Sequence, residues 1–210
     1  MKSRHFVVAI TGASGAIYGL RLCREIIRCQ ADHLTVLISS AGHQVLEEEC
    51  GLQWQGGEAK VAQLLRDHLQ AGEQQLSYYA EDNFRAPIAS GSNAPDAMVV
   101  CPCSMGTLSR IASGNSGNLL ERCADVMLKE RRTLVMVPRE TPLNEIHLEN
   151  MLKLARMGVT MVPPMPAFYH RPKSIDDLIG FVVGKVLDVL GMEHALYRRW
   201  QGCTTTIPEG

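Results

Sequence analysis

Two short loops hold the residues best suited to chemistry. Thr11-Gly12-Ala13-Ser14-Gly15 lies between an apolar run, Phe6–Ile10, and a helical pattern over Ala16–Cys29. Arg139-Glu140-Thr141-Pro142-Leu143 follows a second apolar run, Thr133–Val137. A small-residue turn between strand and helix lets backbone N–H groups approach a phosphate at the helix N-terminus. Arginine grips phosphate through paired hydrogen bonds, and a neighbouring carboxylate can act as acid or base. Both loops belong at strand C-terminal ends, where open α/β sheets bind ligands. A phosphate-bearing cofactor is therefore expected.

The spacing of the first loop narrows the cofactor. Gly12, Gly15 and Gly19 read G-x-x-G-x-x-x-G rather than G-x-G-x-x-G. The second strand ends in Ser39-Ser40, without the acid that binds a ribose diol or an arginine for a 2′-phosphate. Tyr169 and Lys173 have the spacing of a reductase pair, but Pro172 between them disfavours helical geometry. A mononucleotide fits better than NAD(P).

Other segments are more ambiguous. Ser104-Met105-Gly106-Thr107 forms a second small-residue loop, whose hydroxyls suit a flavin, its phosphate tail or plain helix capping. Cys101 and Cys103 form C-x-C without a second ligand cluster, which reads as buried thiols rather than a metal site. Arg122 and Lys129, seven apart, fall near one helix face with no obvious anion in the chain. Taken alone they read first as a solvated basic face, and Glu47-Glu48-Glu49 as a solvated helix end. Pro163–Pro172 is a stiff aromatic loop that holds Tyr169 over a pocket or simply crosses the surface. Lys185, in the apolar helix Leu178–Leu190, either snorkels or meets an anion.

The elements that must position these residues alternate. Strands are predicted at Phe6–Ile10, Leu34–Ser39, Ala97–Cys101, Thr133–Val137 and Val159–Val162. Helices are predicted over Ala16–Cys29, Ala41–Cys50, Ala59–Gln70, Ser104–Ala112, Asn118–Arg131, Asn144–Met157 and Ser174–Leu190. Gly51–Phe84 receives a helix but no strand. The alternation predicts an α/β fold: a single-domain, Rossmann-like, three-layer α/β/α arrangement with a mostly parallel sheet. The 210 residues suffice for one domain, with a frayed tail from about residue 203. A net charge of −1 gives no sign of a nucleic-acid partner. No apolar stretch approaches the ~20 residues of a membrane span. Seven scattered cysteines and the absence of a signal peptide point to the cytoplasm.

Five segments in order carry a resemblance. They are TGASGAIYG (11–19), PCSMGTLSRIASG (102–114), ERCADVMLKERR (121–132), VPRETPLNEIHLENM (137–151) and PPMPAFYHRP (163–172). Together they resemble the UbiX-type flavin prenyltransferases, within the homo-oligomeric flavin-containing decarboxylase-like superfamily. The PAMN-type motif of its cysteine-decarboxylase branch is missing. The resemblance implies reduced FMN as prenyl acceptor, dimethylallyl monophosphate as donor, and bonds from the prenyl group to flavin N5 and C6. It implies no metal, a homo-oligomer (a dodecamer) with sites shared between subunits, and delivery of prenylated FMN to a UbiD-type decarboxylase, as in ubiquinone biosynthesis. Residue by residue, Gly12, Ala13, Ser14, Ser39, Ser104, Met105, Gly106, Thr107 and Arg139 match flavin-contacting positions. Arg122, Lys129, Tyr169 and Lys185 match positions that hold the prenyl phosphate. Ser14, Glu49, Lys129 and Glu140 match the catalytic set. A flavin-dependent decarboxylase and a non-catalytic FMN carrier remain the alternatives.

Overall fold

The computed structural model describes residues 4–29, 33–200 and 202. Among these residues six strands form one sheet: β1 (His5–Ile10), β2 (His33–Ile38), β3 (Leu76–Tyr79), β4 (Ala97–Cys103), β5 (Thr133–Pro138) and β6 (Thr160–Met161). Their order is β3-β2-β1-β4-β5-β6. Every pairing is parallel, so the sheet is wholly rather than mostly parallel. The helices are α1 (Ala16–Arg28), α2 (Ser40–Cys50), α3 (Glu58–Leu69), α4 (Met105–Ala112), α5 (Leu119–Lys129), α6 (Glu145–Arg156) and α7 (Ile175–Val189).

Alternation along the strands builds two cores. Phe6, Val8 and Ile10 enter one, with α1, α3 and α7, while Val7 and Ala9 enter the other, with α4 and α5. Strands apolar on both faces demand helices on both faces, which gives the three layers. Alternation breaks near the end of β4, where the register with β5 shifts between Val100 and Cys103. Cys101 then faces the first core and Cys103 the second, two residues apart yet on opposite sides.

The departures from expectation have local causes. β3 was not expected, because Leu76-Ser77-Tyr78-Tyr79 buries only Leu76 and Tyr78 and so shows no continuous apolar run. It pairs with β2 alone, as an edge strand. β6 is two residues long rather than four. α5 ends at Lys129, and Arg131 beyond it adopts a left-handed φ of 53°. The tail from residue 203, expected to fray, lies outside the described residues.

Candidate active site

The sheet order reverses between β1 and β4, and their C-terminal ends open the crevice where such sheets bind ligands. Thr11 ties the two edges together. Its hydroxyl donates to the Pro102 carbonyl at 2.7 Å and accepts from the Ser104 amide at 2.8 Å. The loop it anchors is short of acceptors: the amides of Gly12, Ala13 and Ser14 meet none among the described residues. A Cβ on Gly12 would lie 2.5 Å from that of Ala41, so only glycine lets this loop sit against the start of α2.

The hydroxyls expected to meet a flavin also cap helices. Ser39 Oγ accepts from the Gly42 amide at 3.0 Å and keeps its own hydrogen to donate. Ser104 Oγ accepts from the Thr107 amide at 3.3 Å and donates to Thr107 Oγ1 at 3.0 Å. Capping and ligand binding are therefore compatible here rather than exclusive. Unspent loop amides, a donor-ready Ser39 and the exposed backbone of Gly106 suit the oxygen-rich edge and phosphate tail of FMN.

Glu49 is the largest surprise at this edge. α1 begins on Gly15, in a left-handed conformation with φ 99°, and has no side-chain cap of its own. Glu49, from the last turn of α2, supplies one. Its carboxylate accepts from the Gly15 amide at 2.9 and 3.1 Å and from the Ala16 amide at 3.0 Å. A carboxylate meets the first amides of this helix, and the unspent donors are those of Gly12 to Ser14 directly before it. The same contacts bring Glu49 beside Ser14.

Arg139 closes the crevice from β5. Its amide donates to the Cys103 carbonyl at 3.1 Å and its Nε to the Ser14 carbonyl at 3.2 Å. Glu140 is exposed, and its carboxylate accepts from the Thr141 amide at 2.9 Å. Ser14, Ser39, Glu49, Ser104–Thr107, Arg139 and Glu140 thus gather at one edge of the sheet.

Four expected residues do not join them. Tyr169 packs edge-on against Phe181 of α7 at 5.9 Å between ring centres. Lys185 Nζ lies 5.8 Å from the same ring and 3.9 Å from Asp188. These two share an aromatic patch on the α7 layer. Arg122 and Lys129 lie on α5, in the opposite layer. α5 runs back toward the start of β5, so Lys129 ends near the strand N-termini, across the sheet from the crevice. Both cations also have partners within the chain, contrary to expectation: Arg122 pairs with Asp125 at 2.7 Å and donates to the Ala89 carbonyl at 3.0 Å, and Lys129 pairs with Glu130.

Beneath α4 lies a pair that local reading passed over. Glu121 is only 1% exposed, and it pairs with Arg110 and accepts from the Gly117 amide at 2.9 Å. Arg110 in turn reaches Thr107 Oγ1 at 3.4 Å, which buttresses the second small-residue loop. A charged residue among the apolar positions of α5 was the available signal. Cys101 and Cys103 are buried thiols, as expected, and so are Cys23 and Cys123. Burial pushes Cys23, Cys103 and Cys123 up to about 12 and Cys101 well above its usual range.

A parallel α/β sheet with unspent amides at its switch point is the frame of a nucleotide-binding flavoprotein. Residues 1–187 match the Flavoprotein family model. The flavin prenyltransferase UbiX of Halalkalibacterium halodurans is 55% identical over 195 residues, covering 93% of this chain and 92% of the relative. The structure of a dodecameric FMN-dependent UbiX-like decarboxylase from Escherichia coli O157:H7 matches with a TM-score of 0.83 and 43% identity, over 94% of this chain and all of that one. That of AnUbiX (PadA1) in complex with FMN and dimethylallyl pyrophosphate matches with a TM-score of 0.85 and 39% identity, over 96% of this chain and all of the other. The chain belongs to the UbiX family of flavin prenyltransferases.

Proposed function

We propose that this protein transfers the dimethylallyl group of dimethylallyl monophosphate to N5 and C6 of reduced FMN, releasing phosphate. Family membership supports the activity. The observation that carries it to this chain is the donor set at the β1–β4 switch point: three unspent amides, Gly12 to Ser14, next to Arg139. The reduced flavin supplies the nucleophile. The protein holds the flavin through Gly12–Ser14, Ser39, Ser104–Thr107 and Arg139. Tyr169 and Lys185 hold the prenyl phosphate. Arg122 and Lys129 reach the site from a neighbouring copy, a role that the far-edge position of Lys129 in its own chain supports.

Breaking the allylic C–O bond leaves negative charge on phosphate, which cations and a phenol hydroxyl stabilise as it develops. With flavin bound, closing both bonds would release one proton each from N5 and C6 and consume one at prenyl C2, whose double bond is spent in bonding C6. Glu140, the exposed carboxylate beside Arg139, would accept one proton and return one. Glu49, bonded to the amides next to Ser14, orients the loop facing N5. The whole chain acts as one flavoprotein domain in a cytoplasmic homo-oligomer, a dodecamer like the E. coli relative, and passes prenylated FMN to a UbiD-type decarboxylase.

Mass spectrometry of the flavin after anaerobic incubation with reduced FMN and dimethylallyl monophosphate tests this. A flavin heavier by one prenyl unit, with an equivalent of phosphate, is expected. The E. coli relative is described as a decarboxylase, so CO₂ from a carboxylic substrate, with unchanged flavin, would favour that second reading.

A further inference from the structure

We propose that His170, Arg171, Arg198 and Arg199 form a phosphate subsite that Asp188 assembles by pinning the segment after α7 onto that helix. It rests on the proposed transfer for its ligand, and none of these five residues belongs to the set expected to hold the donor. The four line a cavity of about 270 Å³, walled by Tyr169 and Trp200, whose rings meet edge-on at 5.7 Å. Among the described residues no carboxylate lines it.

Three of the four, His170, Arg171 and Arg198, are unspent, while Asp188 holds Arg199. His170 stacks flat on Phe181, 5.3 Å between centres, and both its ring nitrogens are buried without a partner among the described residues. A buried imidazole left so is costly unless a ligand uses its N–H. Arg171 and Arg198 make no ion pair among the described residues. Arg171 holds a left-handed φ of 55°, a conformation that persists in a non-glycine residue only when its surroundings fix it. Arginine forks match phosphate oxygens, and two unneutralised guanidinium groups match a dianion.

Asp188 brings the two walls together. It accepts from Tyr197 Oη at 2.6 Å, Arg199 Nη2 at 2.6 Å and His194 Nε2 at 3.1 Å. Burial pushes its carboxyl up, but hydrogen bonds from Arg199, Tyr197 and His194 outweigh this and hold it at about 2. The segment carrying Arg198 and Trp200 is thereby fixed opposite the loop carrying His170 and Arg171. Asp188 touches no ligand and is a positioning residue.

Calorimetric titration of the FMN-loaded full chain with inorganic phosphate tests the subsite. Arg171→Ala with Arg198→Ala should weaken phosphate binding about tenfold or more, the loss of one or two charge-assisted bonds, with FMN affinity and oligomer size unchanged. Asp188→Asn should weaken it as well, and Asp188→Glu should restore part of it. Steady-state kinetics separate the two phosphate sources. If the KM for dimethylallyl monophosphate rises in step, the subsite takes the donor's phosphate. If only inhibition by inorganic phosphate weakens, it takes the released ion. Unchanged phosphate affinity in the double arginine variant overturns the proposal. A wild-type protein that binds phosphate through these arginines yet forms no prenylated flavin would sink the transfer reading and leave the subsite standing.

Discussion

Glu49→Gln keeps the side chain's shape and removes its charge from the start of α1. Two amides, Gly15 and Ala16, share this carboxylate. A bond to a charged acceptor contributes about 1.5–3 kcal/mol and a neutral one about 0.5–1.5, so each amide loses about 1 kcal/mol. Glu49 is exposed, and solvent screening reduces the sum for both amides to about 1 kcal/mol. Losing the anion at a helix N-terminus adds about 0.3–1 kcal/mol. The expected cost is about 1–2 kcal/mol, a fall of roughly 0.5–1 M in urea midpoint at unchanged slope. Because the lost term is charge, the deficit should shrink in 1 M salt, where the screening length is about 3 Å. The Gly12–Ser14 loop should loosen too, weakening FMN by up to about tenfold. Equal midpoints for variant and wild type at low salt would refute the capping role. A deficit that persists in 1 M salt would show that packing, not charge, holds Glu49.

Three further outcomes are expected. Glu140→Gln should bind FMN normally and lose roughly 10²–10⁴ in anaerobic single-turnover rate, whereas Tyr169→Phe should lose less, one bond of ~1.5–3 kcal/mol; the reverse order would move proton transfer away from Glu140. Burial and the neighbouring His33 lower His5 to about 4, against the opposing pull of Asp96, while an unfolded histidine titrates near 6.5. The unfolded chain then binds more protons between those values, so stability is full above about 6.5 and declines as pH falls toward 4. His5→Gln should flatten that slope in urea titrations, and an unchanged slope would assign it to other groups. Among the six described cysteines, a thiol reagent at pH 8 should label Cys29 and Cys50 and spare Cys23, Cys101, Cys103 and Cys123, as peptide mapping of the native protein would show. Rapid labelling of Cys101 would contradict its deep burial.

Much of this architecture is written locally in the chain. Val-rich runs such as Phe6–Ile10 and Leu134–Val137 are buried on both faces, and such runs announce central parallel strands from composition alone. The small-residue turns after β1 and β4 are legible for the same reason, since backbone that must approach a ligand excludes large side chains. β3 escaped notice because an edge strand buries one face and shows half the signal. Glu49 looked like the end of a solvated helix because its partners, Gly15 and Ala16, are more than thirty residues away and are backbone groups. Lys129 read by itself as part of a solvated basic face, and the direction of α5 sets it, within its own chain, at the other edge of the sheet. The cluster around Asp188 joins α7 to a segment without regular structure, and no periodicity marks it. Periodicity and turn chemistry are properties of neighbouring residues, so sequence alone determined the elements and the loops between them. Which charges meet depends on strand order and helix direction, and those exist only once the sheet has assembled.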